Sequence, residues 1–426
     1  MTTVSGPMRY LLVTHIPFVH ERNGAVSVDG LWARDLHGLV QSIGPVRVAA
    51  PELAHDDAHQ TWGPSAATLS PQDGVTFAGF PAMRSRRDLW RWPAVRRVLR
   101  REVEQADLVH TSNLFPPYLG LSYAHDLAVA RGRKTLFVIA EDFHDMLEWE
   151  WVRMSRNGIE RFRRARLVRR LEERVLRSTR TASLTFFHTP AAVVRYRLDA
   201  RNGIAIRQPG HEIEDVIGAA DFARRCAEVR AGGPLIVTAA CRHKSLKGID
   251  LLISAIGVLR GDGVPVEARI YGQGESTEAW KSLARQLGVA DCVHFCGTLE
   301  PGPAVYAAIG NGHVFAMPHR TNDFGRAFYD ALAAGVPIVA FRNAASSDTL
   351  RDGVDGFLAP PDDVEGLAAV LRRLHSDRQL LTCASQAARD RALHNTRSQW
   401  FQLRAGWIRC LFDDERADNH TEVKAA

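Results

Sequence analysis

Six cysteines in 426 residues, none of them in a C-x-x-C pair, are too scattered for a disulfide framework or a cysteine metal cluster. Cys241, Cys292 and Cys296 lie in apolar, strand-like runs and read as core residues of a reduced, cytosolic protein. Long hydrophobic runs are missing too. The run from Tyr10 to Pro17 is too short to span a bilayer, and no signal-peptide pattern leads into it. There is no low-complexity segment, and no repeat beyond two similar α/β halves. The first half lacks G-x-G-x-x-G: its first loop, Phe18 to Val26, holds one glycine, Gly24, so no NAD site is read there. Asp142, His144 and Asp145 are close in sequence but have no further clustered ligand, and no metal site is expected. No recognition motif accompanies the many arginines, which argues against a nucleic-acid partner.

What is present is the composition of a soluble globular protein, 46% apolar and 24% charged. The length suits two domains of roughly 200 residues each. A net charge of +6 favours anionic partners without choosing among them.

The most informative stretch runs from Val314 to Phe341. Val314-Phe-Ala-Met317 reads as the end of a buried strand, and a polar loop follows. Gly325 stands where the chain enters a helix spanning Arg326 to Ala334; Gly335 is placed to end it and Pro337 to block its continuation. Ile338 to Phe341 is then a second buried strand. Such a βαβ unit turns backbone N–H groups and a helix N-terminus toward its first loop, an arrangement that suits a diphosphate.

A second informative loop follows the apolar run Leu235–Cys241. Arg242, Lys244 and Lys247 put three cations within six positions ahead of a helix, which by charge and position suits phosphate; the plainer alternative is a solvated basic loop. Further on, Gly272 and Gly274 make a tight turn after the strand Val266–Tyr271. In the first half, strands are read at Arg9–Pro17, Val46–Ala50, Ala106–Asn113, Thr135–Ala140 and Ala182–Thr189, with residues 51–80 unplaced. The strand ends gather His110, Asn113, Glu141, Asp142, His144 and Asp145, where open α/β sheets carry their sites. A helical region is read from Glu148 through Arg177. Arg84, Arg86, Arg87 and Arg91 beside Trp90 and Trp92 form either a solvated face or one suited to an anionic membrane.

Together, the pattern around 235–375 resembles that of retaining nucleotide-sugar glycosyltransferases of the GT-B architecture, the large group marked by a Glu, seven residues and a second Glu. Here those positions hold Asn322 and Asp330, while Phe324-Gly325 and Ala331-Leu-Ala-Ala-Gly-Val-Pro337 keep the pattern. The resemblance implies two Rossmann-like domains facing across a cleft. Their expected limits are 1–207 and 226–395, with a linker at 208–225 and a final helix at 396–418 crossing back to the first domain. It implies a hexosyl donor in the form of a nucleotide-diphosphate sugar, no metal and no other cofactor. The acceptor would be a glycan, a lipid-linked or a small molecule, and the location cytoplasmic, with peripheral contact to the inner face of a membrane as an option.

It also implies roles residue by residue. Arg242 and Lys247-Gly248 match the Arg and Lys that neutralise the donor diphosphate, and Asp330 matches the ribose-binding carboxylate. Asn322 matches the residue approaching the donor sugar, with Asp323 able to compensate for the missing charge. Phe324, Gly325, Arg326 and Gly272 would line the donor, Asn23 and Gly24 would approach its phosphates, and Glu141 or His144 would stand where relatives use a His. Three other readings remain: a phosphorylase or sugar-phosphate transferase on the same fold, or a nucleotide-binding protein whose transfer activity has decayed.

Overall fold

The computed structural model describes residues 7–54, 62, 66–83, 85–112, 119–140, 147–188, 192, 195–196, 203–300, 302–322 and 325–413. The chain folds as two units. One is Met1–Glu141 with Arg166–Ile206 and Phe401–Ala426; the other is Asp142–Ala165 with Arg207–Trp400.

In the first unit the strands β1 (Tyr10–Val13), β4 (Val46–Glu52), β6 (Val75–Pro81), β7 (Leu108–Ser112), β8 (Lys134–Ile139), β9 (Leu184–Phe187) and β10 (Gly203–Ala205) form one parallel sheet in the order β10-β9-β8-β7-β1-β4-β6. Most of their side chains are apolar and most are buried, as a sheet covered on both faces requires. Three short strands, β2 (Val19–His20), β3 (Val26–Asp29) and β5 (Ala66–Leu69), make a separate antiparallel sheet. The helices here are α1 (Gly30–Ile43), α2 (Trp92–Gln105), α3 (Leu119–Ala130) and most of α4 (Gly158–Thr181). Asp29 starts α1 by accepting the Trp32 N–H at 3.0 Å.

Three expectations are corrected by the fold. Residues 18–26 are a hairpin, not a loop, and the unplaced stretch 51–80 contains β5 and β6. Elements of two to four residues are too short to show a period, and Gly79 and Pro81 interrupt the longer one. Gly203–Ala205, inside the expected first domain, add β10 at the edge of its sheet. The helical region from Glu148 is broken: a π-helical turn, Glu148–Arg153, precedes α4, where Asn157 Oδ1 accepts the Glu160 N–H at 2.9 Å.

The second unit carries β11 (Leu235–Ala240), β12 (Val266–Tyr271), β13 (Val293–Gly297), β14 (Val314–Met317), β15 (Ile338–Phe341) and β16 (Gly356–Ala359), all parallel, in the order β13-β12-β11-β14-β15-β16. Its helices are α5 (Ala219–Ala231), α6 (Ile249–Gly261), α7 (Thr277–Gln286), α8 (Pro303–Gly310), α9 (Ala327–Ala333), α10 (Ala344–Thr349), α11 (Val364–Ser376) and α12 (Arg378–Leu393). Alternation along β15 sends Val339 and Phe341 into the core shared with α6 and α11, and Ile338 and Ala340 into the core shared with α9 and α12. Residues 219–225, expected in the linker, are instead the first turns of α5, with Phe222 and Arg225 buried. Arg225 donates to the carbonyls of Gly310, Gly312 and Gly335, so it satisfies chain ends that the helices leave open; burial lowers its pKa to about 10. Gly335 (φ +66°) closes α9 with a Schellman pair: its N–H reaches the Leu332 carbonyl at 2.9 Å and that of Val336 the Ala331 carbonyl at 2.9 Å. Cys292 is buried as expected, whereas Cys296 is exposed at the end of edge strand β13.

The last helix, α13 (Arg397–Arg409), begins in the second unit and continues in the first. There Phe401 fills the space over Gly38 of α1, Trp407 meets Phe186 edge-on, and Arg409 donates to the Ser42 carbonyl.

Candidate active site

Both sheets follow the Rossmann winding, in which the first and fourth strands of the unit lie side by side and ligands bind beyond their carboxyl ends. In the second unit that switch point lies between β11 and β14. Three loops meet around it, and their backbones touch.

The loop after β11 carries Arg242, His243 and Lys244, then a 3-10 turn, Ser245–Lys247, ending at Gly248. Gly248 has φ +65°, and a Cβ there would lie 1.9 Å from the Pro318 carbonyl oxygen, so only glycine lets this loop lie against the one after β14. Arg320 locks the same two loops together. Its N–H donates to the Leu246 carbonyl at 2.9 Å, and its guanidinium reaches the Ser245 carbonyl at 2.6 Å and both Asp250 oxygens at 2.7 and 2.5 Å. The turn after β12 fits as tightly. A Cβ on Gly272 (φ +118°) would lie 1.9 Å from the Cys241 carbonyl oxygen, and one on Gly274 would lie 2.6 Å from that of His243.

His243 is wholly buried against Trp280 and Phe295, with Nδ1 2.8 Å from Thr277 Oγ1. Burial holds its pKa below the ordinary histidine value, so it stays neutral and serves as the anchor between exposed Arg242 and half-buried Lys244. Lys244, which had no assignment from sequence, pairs with Glu150 at 2.8 Å.

On the β14 side, Asn322 Oδ1 accepts the Ala344 N–H at 3.0 Å, and Asn343 donates to the Thr321 carbonyl at 3.2 Å, so this loop is stapled to the start of α10. Gly325 and Arg326 lead into α9, with the Gly325 carbonyl accepting the Phe328 N–H at 3.2 Å. Asp330 lies in the first turn of α9, its Oδ1 3.6 Å from where a side chain on Gly210 would begin.

Arg242, Lys247, Gly272, Asn322, Gly325, Arg326 and Asp330 all belong to the second unit. Gly24 belongs to the first unit, at the tip of the β2–β3 hairpin with φ +82°. Asn113, Glu141, Asp142, His144, Asp145, Asp323 and Phe324 lie outside the described residues. Sequence reasoning missed Arg320, His243 and Glu150. The first two had a local signal, polar side chains within three residues of a buried strand end; Glu150 had none. Among the described residues, no group of three or more His, Cys, Asp or Glu is placed to hold a metal ion. Among them, too, no helix is long and apolar enough to cross a membrane.

Residues 233–377 match the family described as glycosyl transferases group 1. The chain is 31% identical over 172 residues to a GDP-mannose-dependent alpha-(1-6)-phosphatidylinositol monomannoside mannosyltransferase of Mycolicibacterium smegmatis, covering 39% of this chain and 44% of that one. It is 32% identical over 211 residues to a D-inositol 3-phosphate glycosyltransferase of Streptomyces avermitilis, covering 46% and 44%. The chain therefore spans under half the length of these relatives. Anabaena HepE, solved in complex with UDP, shares the fold over 95% of this chain and 100% of its own, with a TM-score of 0.64 at 17% identity. Residues 233–377 thus match the glycosyl transferases group 1 family, within a chain whose two Rossmann-like units have the GT-B-type fold and which is similar over part of its length to sugar-transferring enzymes.

Proposed function

We propose that this protein is a retaining glycosyltransferase that moves a hexosyl unit from a nucleotide-diphosphate sugar to a glycan, lipid-linked or small-molecule acceptor. The observation that carries this reading is the loop Arg242–Gly248, held backbone to backbone against the β14 loop at the switch point of the second unit. Charge develops on the departing diphosphate as the glycosidic bond breaks. Arg242 and Lys247 neutralise it from a preorganised loop, a task that a divalent metal performs in other sugar transferases. Asp330 takes the ribose hydroxyls, directly or through a water. Asn322 orients a sugar hydroxyl, with Asp323 supplying the charge it lacks, and Phe324, Gly325, Arg326, Gly272 and Gly24 line the donor. Glu141 or His144 acts beside the anomeric centre. GDP-mannose dependence in one relative and UDP in the HepE crystals support a nucleotide donor.

Turnover with UDP-, GDP- and ADP-sugars and a panel of acceptors tests the reading, with the anomeric configuration of the product followed by NMR. Retention is expected; an inverted product overturns the mechanism, and failure to bind any of the nucleotides overturns the reading as a whole. The Asn322 staple favours one rival. Its amide oxygen accepts the Ala344 N–H, a structural role that suits a nucleotide-binding protein whose transfer has decayed. Tight nucleotide binding with no turnover would support that rival.

Peripheral contact with an anionic membrane on the cytoplasmic side belongs to the same proposal. Trp90 is 73% exposed and Leu89 49%, beside Arg91, whose guanidinium stacks on the Trp90 ring at 5.1 Å. Co-sedimentation with phosphatidylglycerol vesicles, lost on Trp90→Ala, is the expected result.

A further inference from the structure

We propose that Glu150 sets the affinity of the nucleotide site by withdrawing Lys244 from the cations that meet the diphosphate. This inference rests on the donor-site reading above.

The loop Arg242–Gly248 offers three cations, one more than the resemblance assigns to the diphosphate. Lys244 Nζ lies 2.8 Å from Glu150 Oε1, with the two side chains 37% and 25% exposed. Glu150 comes from 94 residues earlier in the chain. It reaches the loop on the π-helical turn Glu148–Arg153, which belongs to the same unit. The carboxylate is delivered by a held element rather than by a wandering surface chain. The neighbouring Trp149 ring lies 5.7 Å from the Arg320 guanidinium and 5.1 Å from that of Arg153. Arg320 is the residue that clamps the loop through Ser245 and Asp250. The turn therefore meets the loop directly through Glu150, where a charge is cancelled, and meets its clamp Arg320 through Trp149.

The consequence is electrostatic. A nucleoside diphosphate, with its terminal phosphate free, carries about one more negative charge than the corresponding nucleotide sugar. An extra cation beside the phosphates would strengthen product binding more than donor binding, and release of the diphosphate would slow. With Lys244 held by Glu150, the site keeps enough charge to stabilise the leaving group without retaining it.

Calorimetry with UDP, GDP and ADP and a matching nucleotide sugar tests this on wild type, Glu150→Gln, Lys244→Ala and the double variant, at two salt concentrations. Glu150→Gln frees Lys244, and the diphosphate that wild type prefers should bind about tenfold tighter, with a smaller gain for the nucleotide sugar and a steeper salt dependence. Lys244→Ala exposes the Glu150 carboxylate to the site and should weaken diphosphate binding about threefold or more. The double variant should return to within about twofold of wild type, because the two charges act as one pair. A merely structural contact would lower affinity in all three variants, so a loss in Glu150→Gln overturns the inference. So does unchanged affinity and salt dependence in that variant while wild type binds normally. A wild type that binds none of the three diphosphates overturns the donor-site reading itself, and this inference with it.

Discussion

The two units wind their sheets in the same order yet hold the ends of their central strands differently. In the second unit the loops after β11, β12 and β14 fit backbone against backbone, with Gly248 on the Pro318 carbonyl and Gly272 on that of Cys241. In the first unit the chain after β1 enters a small antiparallel sheet, and Gly24 at its hairpin tip has open space where a side chain would be. A rigid frame of this kind suits a ligand part whose shape does not change, and a diphosphate is one. An unconfined hairpin leaves its surface to be chosen by whatever it meets. The family match covers only the framed region, residues 233–377.

The sharpest test of that difference is a pair of alanines. Gly248→Ala forces a Cβ into a carbonyl and keeps a left-handed backbone, and should cost about 3 kcal/mol or more. Gly24→Ala meets nothing and pays only for its φ of +82°, about 1–2 kcal/mol. Denaturant unfolding measures both, and equal losses would break the comparison.

Acid should affect the two units alike. His110 of β7 sits 2.7 Å from the Tyr10 hydroxyl, and burial, with Arg404 nearby, lowers its pKa to about 3. His313, just before β14, is lowered to about 4 by burial, then by Arg378 and Arg225. Each unfolded histidine titrates near 6.5, so between that value and the folded one the unfolded chain binds more protons. Stability is therefore lost as pH falls below about 6.5 toward 3 for His110 and toward 4 for His313. Replacing either with Gln should flatten the stability–pH curve by about 1.4 kcal/mol per pH unit within its window. Unfolding midpoints from pH 4.5 to 7.5 read the slope; an unchanged slope would show that the histidine charges freely.

Ligand-directed changes should separate the units again. Arg242→Ala or Lys247→Ala should each lose roughly 1–3 kcal/mol of nucleotide affinity in calorimetry while leaving unfolding nearly unchanged. Binding equal to wild type would end their assignment to the diphosphate. The smallest effect is expected at Asp330→Asn, which keeps a hydrogen-bonding group but loses the charge, at about 1–2 kcal/mol in donor affinity. A fully active Asp330→Ala protein would show that the family frame had been laid on the wrong residues.

Much of the second unit was legible because its signals are local. Val314–Met317 and Ile338–Phe341 are strands with the limits read from their apolar runs, and Gly335 ends the intervening helix as its position suggested. The first unit was less legible for the opposite reason. β2 and β5 are held by pairing with β3, and β10 by pairing with β9, so their few residues carry no pattern of their own. The linker reading ran over the first turns of α5 because that helix is stabilised through Phe222 and Arg225, whose partners lie far along the chain.

The sequence by itself determined the α/β class, the two-unit plan and the basic loop after β11, because strand periods, capping glycines and clustered cations act over a few neighbouring residues. Tertiary structure alone decided which cations that loop presents and what holds it still. Lys244 is matched by a carboxylate 94 residues away, and Arg320 closes the loop from 70 and 75 residues away. Charge pairing and backbone fit depend on distance in space, and no local pattern encodes that distance.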